Sequence, residues 1–235
     1  MSLNRKKLVI VLVTLTLVGI SIACTKAGNK HIMDTDTTPA KYLALGDSYT
    51  IGEAVPENER FPAQATALLL KEGIDLGTPQ YIATTGWTTL NLQKAIADQN
   101  PQGRYDAVTL LIGVNDQYQH LPIAGYPQHF TQLLQKAISL AGNRKERVFV
   151  LSIPDYSVTP FGGGSAAIRD DIDAYNAISK KITIDSGVSY IYITDESRKA
   201  ATDPGLVAGD GLHPSGRQYA LWAKRLVPEM EKVLK

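Results

Sequence analysis

The chain has 235 residues, a size that suits one compact domain, because single hydrophobic cores rarely grow beyond about 250–300 residues. Apolar residues make up 44%, charged residues 20% and aromatic residues 7%, which is ordinary globular composition and excludes fibrous, disordered and low-complexity classes. Lysine and arginine number 24 against 23 acidic residues, so there is no broad basic face to neutralise phosphates and nucleic-acid binding is not expected.

At the start, Asn4-Arg5-Lys6-Lys7 runs into an uncharged apolar stretch over residues 8–23 that is short for a membrane span, and this predicts a signal peptide over residues 1–23. Cys24 is the only cysteine and follows Ser21-Ile22-Ala23, where small residues such as Ser21 and Ala23 before a cysteine suit a lipoprotein signal peptidase. The pattern resembles a bacterial lipobox, with Ser21 in place of the usual leucine. The expectation is an exported lipoprotein, lipidated at Cys24 and anchored to the membrane on its periplasmic or cell-surface side. Loss of Arg5, Lys6 and Lys7 would leave 21 basic against 23 acidic residues. One cysteine permits no intrachain disulfide, so the core alone must hold the fold. Residues 25–40 are polar, small or proline without apolar period, so residues 24–40 read as a lipidated tether and 41–235 as the folded domain.

From there, strands are predicted over residues 42–45, 80–83, 107–112, 148–153 and 190–193, where branched and aromatic apolar runs are short. Amphipathic stretches predict helices over 62–71, 90–98, 127–140, 166–184 and 215–233, the last entered through Pro214. Five successive strand-then-helix units make an α/β fold with a five-stranded parallel sheet covered by helices. In such sheets ligands bind beyond the carboxyl ends of the strands, so functional residues belong just after them. No internal repeat and no second domain are visible.

After the first strand comes Gly46-Asp47-Ser48-Tyr49-Thr50, which puts a serine on a tight strand-to-helix turn. Alone this is as well explained by a cap or turn residue, and Thr50 breaks the Gly-x-Ser-x-Gly pattern of the α/β-hydrolase nucleophile elbow. Near the C-terminus, Asp210-Gly211-Leu212-His213-Pro214 sets a carboxylate three positions before an imidazole. Within one turn that carboxylate reaches Nδ1–H and leaves Nε2 free to accept a proton, as a general base requires, although a helix-capping turn with a surface histidine fits as well. No third His, Cys or carboxylate has ligand spacing, so no metal is expected. Gly86, in Thr84-Thr85-Gly86-Trp87, and Asn115, in Gly113-Val114-Asn115-Asp116, follow two further strands and are candidate oxyanion donors, as is the Ser48 amide.

Taken in order, Gly46-Asp47-Ser48, Gly86, Gly113-x-Asn115-Asp116 and Asp210-x-x-His213 resemble the four blocks of the SGNH (GDSL-type) hydrolases, over roughly residues 41–235. The resemblance implies a flavodoxin-like three-layer α/β/α sandwich with strand order 2-1-3-4-5. It implies Ser48 as nucleophile and oxyanion donor, Gly86 and Asn115 as the other donors, His213 as base and Asp210 as its partner. Two positions depart from the common pattern: Tyr49 stands where many members have leucine, and Trp87 follows the oxyanion glycine. Both are candidates for the cleft rim.

The leading expectation is a monomeric, cofactor-free esterase that hydrolyses carboxylic esters of lipid or acylated carbohydrate through an acyl-serine. An acyltransferase using a glycan hydroxyl in place of water, and a lipid-anchored binding protein without activity, are the alternatives. Asp210 is expected to cost least on removal, because the turn itself orients His213. His31, His120 and His129 read as surface residues, Gly162-Gly163-Gly164 as a flexible connector and Asp155 as a cap or turn residue.

Overall fold

A computed structural model describes residues 40–235. The expected signal peptide, Cys24 and the tether up to residue 39 lie outside the described residues. Ala40 already donates its amide to the Asp75 carbonyl at 3.0 Å.

The elements in chain order are β1 (Tyr42–Gly46), α1 (Ser48–Ile51), α2 (Phe61–Lys71), β2 (Gln80–Ala83), α3 (Thr89–Gln99), β3 (Ala107–Leu111) and α4 (Val114–Tyr118). There follow α5 (Tyr126–Leu140), β4 (Val148–Leu151), α6 (Ala166–Asp185), β5 (Ser189–Ile191), α7 (Thr194–Arg198) and α8 (Gly216–Leu234). All four pairings are parallel and the strand order is β2-β1-β3-β4-β5, the flavodoxin-like order that the resemblance implies. Every residue of β1, β3 and β4 is buried, as expected of parallel strands covered on both faces.

Helices α2 and α8 pair in one layer, while α3, α5 and α6 pack side by side in the other. In α8 the buried residues Tyr219, Trp222, Ala223, Leu226, Val227 and Met230 recur at helical spacing and form one apolar stripe. The Trp222 ring lies 6.2 Å from Phe61 of α2 and 5.0 Å from Tyr219. Burial of side chains of this kind contributes roughly 1.5–3 kcal/mol each. Pro228 interrupts the α8 ladder on its exposed side, where water can reach the Lys224 carbonyl left without its amide partner.

Several boundaries differ from the sequence expectation. Strands β4 and β5 stop two residues early because Ser152 takes over: its hydroxyl accepts the Ile193 and Thr194 amides at 2.8 and 3.1 Å, replacing a regular ladder. The last helix starts at Gly216, with Ser215 as its N-cap accepting the Gln218 amide, so Pro214 lies before the cap. Helices α1, α4 and α7 are single turns that open within three residues of the ends of β1, β3 and β5, and no periodicity of so few residues could have announced them.

Candidate active site

Strand β1 delivers Ser48 to the carboxyl edge of the sheet. Its last residue, Gly46, has no room for a side chain: a Cβ there would stand 2.0 Å from the Thr50 hydroxyl oxygen and 2.4 Å from the Leu111 carbonyl oxygen. Glycine lets α1 fold back tightly against β3. Asp47 then caps α1, its Oδ1 accepting the Tyr49 amide at 3.0 Å, and Ser48 opens the helix, 3% exposed.

His213 comes from 165 residues away, with its Nε2 3.0 Å from Ser48 Oγ. On the other side its Nδ1 stands 2.6 Å from Asp210 Oδ2. The turn that holds this pair is itself tied down. Asp210 Oδ1 accepts the Leu212 and His213 amides, both at 3.0 Å, Ala208 donates to the His213 carbonyl at 2.7 Å, and Val207 bridges Pro214. Gly211 takes φ +73 at the tip, where a side chain would be strained. Desolvation pushes the Asp210 carboxyl upward, but the hydrogen bonds from the His213 ring and the two amides outweigh it and leave Asp210 below the ordinary carboxylate range.

Gly86 lies in the turn after β2 with φ +80, and the space where a Cβ would stand is open to 4 Å. Among the described residues no acceptor takes the backbone amide of Gly86 or of Ser48, so both remain free to donate. Asn115, in the first turn of α4, donates its amide Nδ2 to the Trp87 carbonyl at 3.1 Å, with Asp47 Oδ2 at 3.5 Å. Gly113, just before α4, approaches so closely that a Cβ would meet the Tyr126 hydroxyl at 2.6 Å.

These groups face one cleft of about 200 Å³. Ser48, Gly86, Asn115 and His213 line it together, and its walls are Tyr49, Val114, Tyr118, Tyr156, Phe161 and Leu212. Tyr118, Tyr156 and Phe161 form a mutual cluster with ring centroids 5.9 to 6.3 Å apart. Among the described residues no group of three or more His, Cys, Asp or Glu side chains is placed to hold a metal ion.

Of the two expected rim aromatics, Tyr49 lines the cleft and packs on the His213 ring at 5.1 Å, whereas the Trp87 side chain packs against the core and only its carbonyl serves the site. The glycine run after β4 is a folded turn rather than a free connector. Phe161 donates to the Gly211 carbonyl at 3.0 Å, Gly163 to Thr159 and Gly164 to Ser157, and a Cβ on Gly162 would stand 2.0 Å from the Tyr156 carbonyl oxygen. Asp155 is a cap, accepting the Ser157 amide at 2.9 Å and pairing with Arg198 at 2.8 Å.

The aromatic wall and two buried carboxylates, Asp47 and Asp116, carry no sequence signal of their own, although both acids stand inside the motifs around Ser48 and Asn115. Asp116 accepts the Thr89 hydroxyl at 2.6 Å and the Thr89 amide at 2.9 Å, fastening α4 to the start of α3.

Among solved structures the chain resembles the lipase/acylhydrolase from Enterococcus faecalis, with 20% identity, a TM-score of 0.65, and 83% of this chain and 97% of that one covered. It also resembles TesA, with 18% identity, a TM-score of 0.63 and coverage of 83% and 99%. An acetyl xylan esterase variant from Geobacillus stearothermophilus follows at 18% identity, a TM-score of 0.57 and coverage of 82% and 95%. A search of the curated proteins returns no match. The model of the GDSL-like lipase/acylhydrolase family matches residues 44–221, a span that holds Ser48, Gly86, Asn115, Asp210 and His213, and the chain belongs to that family.

Proposed function

We propose that this protein hydrolyses carboxylic esters through an acyl-Ser48 intermediate, with His213 as general base, Asp210 as its orienting partner, and the Ser48 amide, Gly86 amide and Asn115 side chain as oxyanion donors. The observation that carries the reading is the continuous relay from Asp210 Oδ2 through both ring nitrogens of His213 to Ser48 Oγ, at 2.6 and 3.0 Å, opening into the cleft that Gly86 and Asn115 share. Ser48 Oγ attacks the acyl carbon while its proton passes to Nε2. The resulting imidazolium is stabilised by Asp210 and returns the proton to the departing alcohol. Water then repeats the sequence on the acyl-enzyme, and each tetrahedral oxyanion is met by donors that are already in place.

The apolar walls favour an apolar acyl group. The small volume favours a short or medium chain, since pockets for drug-sized ligands start near about 300 Å³. A fluorophosphonate probe is expected to add once per chain, on the tryptic peptide that contains Ser48. An adduct on another residue, or none, would refute the assignment.

Export and lipidation at Cys24 belong to the same proposal and rest on the basic start, the apolar stretch and the small residues before the cysteine. The protein extracted from membranes is expected to begin at a diacylglyceryl-modified Cys24. A mature chain with an unmodified start elsewhere would overturn this.

A further inference from the structure

The turn after β2 carries the Gly86 amide, and packing around that residue does little to hold it. The turn closes through a bond of 3.3 Å from the Trp87 amide to the Thr84 carbonyl, Gly86 takes φ +80, and nothing stands within 4 Å of where its Cβ would be. A glycine in so open a place has a wide range of backbone angles available to it. Side chains supply the restraint, one for each of three consecutive residues. The Thr85 hydroxyl donates to the Glu53 carboxylate, the Gly86 carbonyl accepts from Gln119 Nε2 at 2.8 Å, and the Trp87 carbonyl accepts from Asn115 Nδ2 at 3.1 Å.

Two of these three restraints come from α4. Asn115 lies in its first turn, and Gln119 caps its C-terminal end with its own amide bonded to the Asn115 carbonyl at 3.0 Å. Residues four apart share a helix face, so two side-chain amides on one face of α4 grip two successive carbonyls of the turn. Helix α4 is itself fastened to the start of α3 by Asp116 and Thr89.

We propose that Gln119 is a positioning residue for the oxyanion site: by tying the Gly86 carbonyl to the helix that carries Asn115, it sets the separation between the Gly86 amide and the Asn115 side chain. The two donors must converge on one oxygen, each at about 2.7–3.1 Å. Without Gln119 the turn keeps only the Thr85 and Trp87 restraints, and the Gly86 amide spends part of its time out of reach. Acylation and deacylation both pass through an oxyanion, so the loss falls on kcat whichever step limits, and KM is nearly untouched.

This role rests on the acyl-Ser48 reading, which Ser48→Ala checks separately. Steady-state kinetics on a short-chain nitrophenyl ester would compare the wild type with Gln119→Met, which keeps the length of the side chain without a donor, and Gln119→Lys, which keeps a donor. About 1 M salt screens the charge of an exposed lysine within about 3 Å, so the two variants differ chiefly in the hydrogen bond. Gln119 is exposed, and both variants are expected to melt within a few degrees of the wild type. Gln119→Met is expected to lower kcat about fivefold, the scale of one neutral hydrogen bond, with KM within twofold. Gln119→Lys is expected to recover most of the lost rate. With Ser48→Ala inert, a Gln119→Met variant at the wild-type kcat, a loss that falls on KM instead, or a Gln119→Lys variant as slow as Gln119→Met overturns the role of Gln119 alone. An active Ser48→Ala instead removes the reading beneath it.

Discussion

Ser48→Ala is expected to lower kcat on a short-chain nitrophenyl ester by about 10⁴-fold or more, with the thermal transition close to that of the wild type. The two halves of this expectation have separate structural reasons. The hydroxyl is the one group placed 3.0 Å from the base, and no other serine, threonine or cysteine among the described residues is hydrogen-bonded to His213, so no substitute nucleophile exists. The fold does not depend on that hydroxyl. Helix α1 is capped by Asp47 and closed against β3 by Gly46, and Ser48 Oγ makes no contact that either device uses. What remains should be the small acceleration that the oxyanion donors and substrate binding supply without a nucleophile. Steady-state kinetics with a circular-dichroism melt decides the matter. A rate within tenfold of wild type, or loss of the folded transition, contradicts it.

How much of this was legible before any coordinates follows from length scale. The five strands and five long helices were readable because each carries its own signal. Val108, Leu110 and Leu111 mark a short apolar run, and Tyr219, Trp222 and Ala223 a helical period, each within a single segment. The strand order and the grouping of Ser48, Gly86, Asn115, Asp210 and His213 were legible only through motif resemblance, since no local pattern joins residues 165 positions apart. The aromatic wall was not legible. Tyr118, Tyr156 and Phe161 come from α4 and from the turns after β4, and only the sheet order brings them together. Asp47 and Asp116 were visible as letters, but their burial was not. A polar residue in a loop motif ordinarily faces water, and here α1 and α4 fold back over the strand ends and cover both.

The expectation that Asp210 costs least on removal becomes conditional on what replaces it. Asp210 Oδ1 is held by two backbone N–H groups, so in Asp210→Asn the amide oxygen must occupy that position, because an NH₂ there would set donor against donor twice. The NH₂ is then left facing His213 Nδ1, where Oδ2 stood at 2.6 Å. It donates to Nδ1, which forces the ring proton onto Nε2, and a protonated Nε2 cannot accept from Ser48. Asp210→Asn is therefore expected to lower kcat on the order of 10⁴-fold, as a wrong tautomer does in serine hydrolases. Asp210→Ala leaves the space to water, which can accept from Nδ1–H, while Tyr49 and the turn still hold the ring. Its loss is expected to be smaller, about 10²-fold. Stability should run the other way. Alanine abandons the Leu212 and His213 amides and lowers the melting temperature by a few degrees, about 1 kcal/mol, whereas asparagine keeps both bonds. The more stable variant is then the less active one. Measured kcat and melting temperature for the pair test this crossing, and an asparagine variant more active than the alanine variant would show that the turn does not fix which way the amide points.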